Sequence, residues 1–282
     1  MTARIAPELV GAELLDLTLR LGLPERDLVI LAEGNTSELL DDDTLVVKAS
    51  GSSMISATAA DFVTVEIAPL LAVLRDTDAQ QEALTAALDA GEVDGKRVRA
   101  SIETLIHVAV RAFAPARYVA HTHPTSVVAL LASVHAENAF TDAVYSDELM
   151  VLGRTLYVPY AQPGIELGQL FMERLAAHVE EFGEVPSLVL LGNHGIVAIS
   201  DSAAGAEAIS LMAVKSARVR LGALQAGGIA SLDAAATAHY FDRPDFRERR
   251  AALAGKNNAS HRLRRRRASS PIRGFARCRL GS

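Results

Sequence analysis

Apolar residues spaced three and four positions apart predict the main helices of the chain. Between Pro7 and Leu23, leucines recur along one face of such a helix, and the proline suits its first turn. Gly22 and Pro24 end this pattern. The same spacing predicts further helices over Ser101–Phe113, Ile165–Phe182 and Ala203–Ala226.

Short runs of β-prone residues between turn signals predict the strands. Leu28–Leu31 and Thr44–Val47, separated by a polar turn at residues 33–37 and an acidic turn, are typical of an antiparallel hairpin. Helices interleaved with such strands favour an α/β or α+β fold, in which helices cover a mixed, largely antiparallel sheet. The other predicted strands are Phe62–Ile67, Tyr118–His123, Thr155–Tyr160, Leu188–Leu191 and Gly195–Ile199.

Charge divides the chain into two parts. The stretch from Lys256 to Ser282 holds nine basic and no acidic residues, whereas the preceding residues carry a net charge of −15. Half of the 282 residues are apolar, which is enough to bury a sizeable core. We therefore expect one globular domain over residues 1–255, followed by a basic, disordered tail over residues 256–282.

Composition also excludes several kinds of protein and site. No apolar run reaches the roughly 20 residues that a membrane-spanning helix needs, and Met1–Pro7 lacks the pattern of a secretory signal. The single cysteine, Cys278, lies in the tail, which excludes disulfides and thiolate metal sites from the rest of the chain. We expect a cytoplasmic protein with no membrane partner, which could bind nucleic acid only through its basic tail.

Three of the eight histidines occupy positions suited to one metal ion. His121 and His123 are two residues apart on a predicted strand, so both imidazoles point to the same face. His194 lies in a turn between two apolar strands. Three neutral imidazoles leave an open coordination position, as in catalytic zinc sites. The alternative is that histidines at strand ends only form hydrogen bonds with the backbone or water.

Glu103 is the candidate acid or base. It lies near the start of a predicted helix, where Ser101 suits the N-cap position. A carboxylate beside a cation can ligate it or transfer a proton. The alternative is a glutamate that the helix dipole favours in the first turn. His107, one turn later, faces the same side and is interpreted as a residue that packs against the site or supports it from behind.

Two polar turns, at residues 34–37 and 48–53, have the composition of an anion site. Successive backbone N–H groups and hydroxyls suit a phosphate, and Lys48 would add positive charge. Neither turn matches the P-loop or the dinucleotide-binding pattern, and ordinary hairpin turns share this composition.

The chain contains, in order, the motifs Gly34–Asn35–Thr36–Ser37, Val47–Lys48–Ala49–Ser50–Gly51, Ser101–Ile102–Glu103, His121–Thr122–His123 and Asn193–His194–Gly195. Together they resemble the motifs of the class II aldolase/adducin family, which includes fuculose- and rhamnulose-phosphate aldolases. The resemblance covers residues 10–225. It implies an α/β, class II aldolase-like three-layer fold with a central, mostly antiparallel sheet covered by helices. It also implies a homotetramer with active sites at subunit boundaries.

The resemblance implies a role for each matching residue. Glu103 would be the acid/base residue. Tyr145 stands near the position of a tyrosine that donates a proton from a neighbouring subunit, and Ile102 replaces a serine found in many members. The residues that would hold Zn2+ or another divalent metal are His121, His123 and His194. Those that would cradle the phosphate are Asn35, Thr36, Ser50, Gly51 and Ser101.

The implied reaction is that of a lyase, which cleaves or forms a C–C bond in a small, phosphorylated ketose or a related hydroxyketone. An enediolate stabilised by the metal as a Lewis acid would be its intermediate. Epimerases, decarboxylases and dehydratases of the same fold share this chemistry, so the motifs leave them open. A non-catalytic, adducin-like binding module is a further alternative, although such a module does not need the three histidines and Glu103 together.

Overall fold

The computed structural model describes residues 2–246 and residue 248, which contain ten strands and nine α-helices interspersed along the chain. The predicted tail, residues 256–282, lies outside the described residues, and Cys278 lies there too. The strands are β1 (Ala3–Arg4), β2 (Asn35–Leu39), β3 (Thr44–Lys48), β4 (Phe62–Glu66), β5 (Asp89–Val93), β6 (Lys96–Arg99), β7 (Tyr118–Thr122), β8 (Leu156–Val158), β9 (Leu188–Leu191) and β10 (Gly195–Ser200). The helices are α1 (Ala12–Leu21), α2 (Ile67–Arg75), α3 (Gln81–Ala87), α4 (Thr104–Arg111), α5 (Thr125–Leu131), α6 (Ser146–Leu152), α7 (Ile165–Phe182), α8 (Ala203–Gln225) and α9 (Ala234–Asp242).

Eight of the described strands form one central sheet in the order β1-β4-β3-β2-β7-β10-β9-β8. Neighbouring strands are antiparallel except β8 and β9, which run parallel. β5 and β6 pair with each other as a separate hairpin. The prediction of a mostly antiparallel sheet is therefore confirmed.

Helices cover both faces of this sheet, because alternate side chains of each strand enter two different apolar cores. Val119 and Val197 belong to the core under α2, α4 and α7. Tyr118 and Ala198 belong to the core under α1, α5 and α8. The molecule thus has three layers, as expected. No helix in the described part of the chain combines the length and apolar character needed to cross a membrane.

The predicted helices are present, and all but α7 have different ends. The predicted helix over residues 165–182 is α7, and α8 ends one residue before the prediction. The first predicted helix is interrupted, since Pro7–Leu9 forms a short 3-10 turn and α1 begins only at Ala12. The helix predicted over Ser101–Phe113 is the shorter α4, and its N-cap residue is Glu103, so the prediction of Ser101 as the N-cap is wrong.

The predicted hairpin pairs different segments from those expected. Leu28–Leu31 lies outside the described strands, and Leu31 has a φ of 52° and is 84% exposed. β3 pairs with β4 on one side and with β2 on the other, and β2 contains most of the segment predicted as a polar turn. The polar side chains of β2 are buried and hydrogen-bonded inside the protein, which allows a strand without an apolar pattern.

A buried ion pair joins α8 to α6 and provides a test of this packing. The guanidinium of Arg220 bonds to both carboxylate oxygens of Glu148 at 2.6 and 2.7 Å and to the carbonyl of Asp142 at 2.8 Å. We expect Arg220→Met to lower the free energy of unfolding by about 3–5 kcal/mol, because it leaves a buried carboxylate unpaired. Urea denaturation measures this loss.

Arg218→Ala on the same helix is the matched control. Its side chain is 59% exposed and lies 3.9 Å from Asp27, so we expect a loss below about 1 kcal/mol. Equal losses in the two variants would contradict the stabilising role of the buried pair.

Candidate metal centre

Three histidines meet where strands β7 and β10 lie side by side. β7 runs into His121 and His123, and the tight turn between β9 and β10 carries His194. Val197 of β10 pairs with His121, which brings that turn beside the end of β7. Gly195 permits the approach, because a Cβ there would collide with the Thr122 carbonyl and lie 2.7 Å from the ring of His123. The three ring centroids are 4.6–5.0 Å apart.

The Nε2 atoms of these rings converge with the carboxylate of Glu103. The Nε2 atoms of His121 and His123 are 2.8 Å apart. Glu103 Oε2 lies 3.2 Å from His121 Nε2, and its Oε1 lies 2.8 Å from His194 Nε2. One ligand atom from each of the four residues lies within 4.8 Å of the other three. The structure therefore assembles all four residues that the sequence indicated.

A hydrogen bond on the far side of His121 leaves its Nε2 as the ligand atom. His121 Nδ1 donates to the carbonyl of Ile196 at 2.9 Å. His123 Nδ1 faces the carboxylate of Glu33 at 3.6 Å, whereas His194 Nδ1 is buried without a hydrogen-bond partner among the described residues. Carbonyl and carboxylate partners of this kind orient metal-ligating histidines. Sequence reasoning missed Glu33, because a glutamate in a polar loop carries no signal of its own.

The carboxylate of Glu103 is ionised and His123 is neutral, whereas Glu103 outweighs burial and raises the pKa of His121, so a bound cation would displace a proton from His121. Burial would raise the pKa of Glu103, but His121 and His194 outweigh burial and hold that pKa well below its usual range. Burial, reinforced by the neighbouring His121, lowers the pKa of His123 to about 3. An ionised carboxylate and neutral imidazoles are the forms that bind metals. With nitrogen and oxygen donors aimed at one point, the residues fit a divalent ion such as Zn2+.

A polar cluster holds Glu103 from behind. The Asn35 side-chain amide donates to Glu103 Oε2 at 2.8 Å and to Ser101 Oγ at 3.1 Å, and Asn35 is 2% exposed. The backbone N–H of Glu103 also donates to Ser101 Oγ, at 3.3 Å. Ser50 and Gly51 lie on the adjoining turn, which an Ala49–Ala100 bridge connects to this segment.

Two predicted residues direct their side chains elsewhere. Thr36 points to the opposite face of the sheet, where its buried hydroxyl lies 2.5 Å from that of Thr18. Tyr145 packs against α8, with its hydroxyl 2.8 Å from Met212 Sδ. Helix α8 covers the face opposite α4, so one chain does not bring Tyr145 to Glu103. Ile102, where the resemblance implied a serine, is 38% exposed.

A cavity of about 440 Å³ reaches the histidines from the α5 side. His123 and His194 form part of its wall, together with the carboxylates of Asp27 and Glu33. Apolar side chains of α5, including Val128, complete it. A small molecule therefore has access to the histidine cluster from this side.

Lys48 ends β3 as a buried cation. It is 1% exposed, and its ammonium donates to the carbonyl of Ala49 at 3.1 Å. Burial lowers the pKa of Lys48 to about 8, although Asp61 and Glu103 oppose that shift.

This lowered pKa predicts a pH-dependent stability. Between about pH 8 and pH 10.5 the unfolded chain binds more protons at Lys48 than the folded one, so this residue makes stability rise with pH. We expect the free energy of unfolding of the wild type, relative to Lys48→Met, to increase by roughly 2–3 kcal/mol from pH 7 to pH 10. The exposed Lys215→Met is the control, and parallel pH curves for all three proteins would refute the prediction.

Comparison with known proteins agrees with the fold. The model of the class II aldolase and adducin N-terminal domain matches residues 13–221, and the chain belongs to this family. A relative from Bacillus subtilis (strain 168), the uncharacterized oxidoreductase YuxG, is 29% identical over 157 residues. That match covers 55% of this chain but spans only about a fifth of the length of YuxG.

Solved structures share the fold at low sequence identity. The L-fuculose 1-phosphate aldolase from Glaciozyma antarctica PI12 is 16% identical with a TM-score of 0.60, and the match covers 91% of this chain and 89% of that one. The L-fuculose-1-phosphate aldolase from Thermus thermophilus is 18% identical with a TM-score of 0.54, covering 78% and 100%. YgbL from Klebsiella pneumoniae, whose description offers aldolase, epimerase and decarboxylase as alternatives, is 20% identical with a TM-score of 0.59, covering 82% and 100%.

Proposed function

We propose that the protein is a metal-dependent aldolase that cleaves or forms a C–C bond in a small, phosphorylated ketose. The convergence of three imidazole Nε2 atoms with the ionised carboxylate of Glu103 carries this proposal. The polar cluster of Asn35 and Ser101 beside that carboxylate supports it. Similarity to L-fuculose 1-phosphate aldolases supports the choice of a phosphorylated sugar.

His121, His123 and His194 would hold the divalent ion through Nε2. When bound, that ion supplies Lewis-acid stabilisation of the negative charge that develops on substrate oxygens. Glu103, kept ionised by its neighbours, would exchange a proton with the reacting carbon or its oxygens. Burial behind the histidines limits the motion of this carboxylate, so its oxygens keep one geometry.

The phosphate would lie against the polar groups next to Glu103. Asn35 and Ser101 meet there, and Ser50 and Gly51 follow on the bridged turn. The hydroxyl of Thr36 is committed to Thr18, and the amide of Asn35 to Glu103 and Ser101. We therefore assign the phosphate to Ser50, Gly51 and Ser101, and Asn35 holds Ser101 in place. Lys48 adds positive charge near this end of β3.

Tyr145 would serve the site of a neighbouring subunit in a homotetramer. Its half-buried ring lies on the α8 side of its own chain, with the ammonium of Lys215 5.4 Å from the ring centroid. The role of proton donor therefore requires the assembled oligomer. The other proposed partner is the sugar phosphate or a related hydroxyketone.

A retro-aldol screen tests the function directly. We expect the purified protein to contain about one divalent ion per chain and to release glycerone phosphate from at least one ketose 1-phosphate. Metal analysis and a coupled assay for glycerone phosphate measure the two quantities. Consumption of a sugar phosphate without glycerone phosphate would instead indicate an epimerase, decarboxylase or dehydratase. A metal-free protein without turnover would overturn the proposal.

Two variants separate metal binding from proton transfer. We expect His123→Ala to lose both metal and turnover, because one of three imidazole ligands is removed. Glu103→Gln should retain the metal while turnover falls about 10²–10⁴-fold, because the amide cannot act as a base. His135→Ala, an exposed histidine after α5, is the control for the first variant. Full metal content and turnover in His123→Ala would exclude the assigned site.

A further inference from the structure

A chain of buried hydrogen bonds runs from β2 through α4 to Glu103. Ser37 Oγ lies 2.7 Å from His107 Nδ1, and His107 Nε2 lies 2.5 Å from Asn35 Oδ1. The Asn35 amide then donates to Glu103 Oε2 at 2.8 Å. Ser37 and His107 are fully buried, and Asn35 is nearly so. None of the side chains in this series of hydrogen bonds can therefore use water as an alternative partner.

The direction of each hydrogen bond follows from the carboxylate. An ionised carboxylate only accepts, so the NH2 group of Asn35 must face Glu103. The carbonyl oxygen of Asn35 then faces His107 Nε2, which must carry a proton in order to donate. Burial lowers the pKa of His107 to about 3, so its ring is neutral and has only that one N–H. The hydroxyl of Ser37 accordingly donates to His107 Nδ1.

This arrangement leaves one orientation for the Asn35 side chain. A rotated amide would aim its carbonyl oxygen at the carboxylate of Glu103 and its NH2 group at the N–H of His107. Both contacts would be repulsive, and a buried donor would lose its acceptor. The orientation of Asn35 in turn places a donor on the same oxygen, Oε2, that faces His121.

We propose that His107 is a positioning residue, which as the Nε2–H tautomer fixes the Asn35 amide and thereby the carboxylate of Glu103. Its ring does not line the cavity beside the histidine cluster, and it acts only through Asn35. Its effect on turnover rests on the proposed function, whereas its tautomer and its hold on Asn35 do not.

The tautomer can be measured on the full-length, metal-free protein. In the wild type labelled with ¹⁵N-histidine, we expect His107 to show a neutral ring with its proton on Nε2 and slow exchange of that proton with water. The signal is assigned in the wild type through the contact of its N–H with the side-chain amide of Asn35, and its absence from His107→Gln is a second check. A proton on Nδ1, or a ring that averages between the two tautomers, would overturn the proposal.

Two variants of His107 separate positioning from packing. Glutamine places an amide NH2 near the position of Nε2 and preserves the donor to Asn35, whereas asparagine reaches only the position of Nδ1. We expect His107→Asn to reduce kcat roughly 10–100-fold with little change in KM, and His107→Gln to recover most of that loss. The side-chain amide signal of Asn35 should shift in His107→Asn and stay near its wild-type position in His107→Gln.

The outcomes distinguish this inference from the proposed function. If the wild type turns over no ketose phosphate, the proposed function fails, and the tautomer and the Asn35 signal still decide the role of His107. Equal kcat values and equal Asn35 signals in the two variants would show that His107 only fills the core. If neither variant folds, the tautomer in the wild type remains the deciding measurement.

Discussion

The burial of an ionised carboxylate is the constraint on which this structure depends. Glu103 is 9% exposed, and a charge so placed is costly unless it is paired and hydrogen-bonded. His121 and His194 supply the pairing, and Asn35 supplies a hydrogen bond. Removing these partners would leave Glu103 as a buried charge without compensation. The folded structure is therefore stable only when the surrounding chain places them beside Glu103.

The order of the strands places the partners of Glu103 together. β2, β7 and β10 are adjacent in the sheet, so Asn35, His121 and the turn of His194 reach the same end. Each side chain is carried by a strand end or a tight turn between strands, and hydrogen bonds on both sides hold that backbone in place. Sites on such rigid elements keep their geometry better than sites on long loops. Gly195 completes the arrangement, because a larger residue would separate β10 from β7.

Most of β2 was predicted as a turn because its side chains are polar. Asn35, Thr36 and Ser37 read as a turn, since strands are recognised by apolar alternation. In the structure all three are buried, and each hydrogen-bonds to a side chain of another element. Such a strand is stable only when those partners are present. Its identity therefore depends on residues far away in the sequence, such as Thr18 and His107.

The sequence by itself determined most of the apolar elements, the mostly antiparallel sheet and the identity of the four clustered residues, although Leu28–Leu31 is not a strand. Spacing placed His121 and His123 on one face, and five ordered motifs indicated the family. Only the tertiary structure decided that Thr36 faces away, that Tyr145 lies beside α8, and that His107 holds Asn35. Those outcomes depend on which strands become neighbours and which side chains find partners. Both result from packing across the whole chain, and no local pattern contains them.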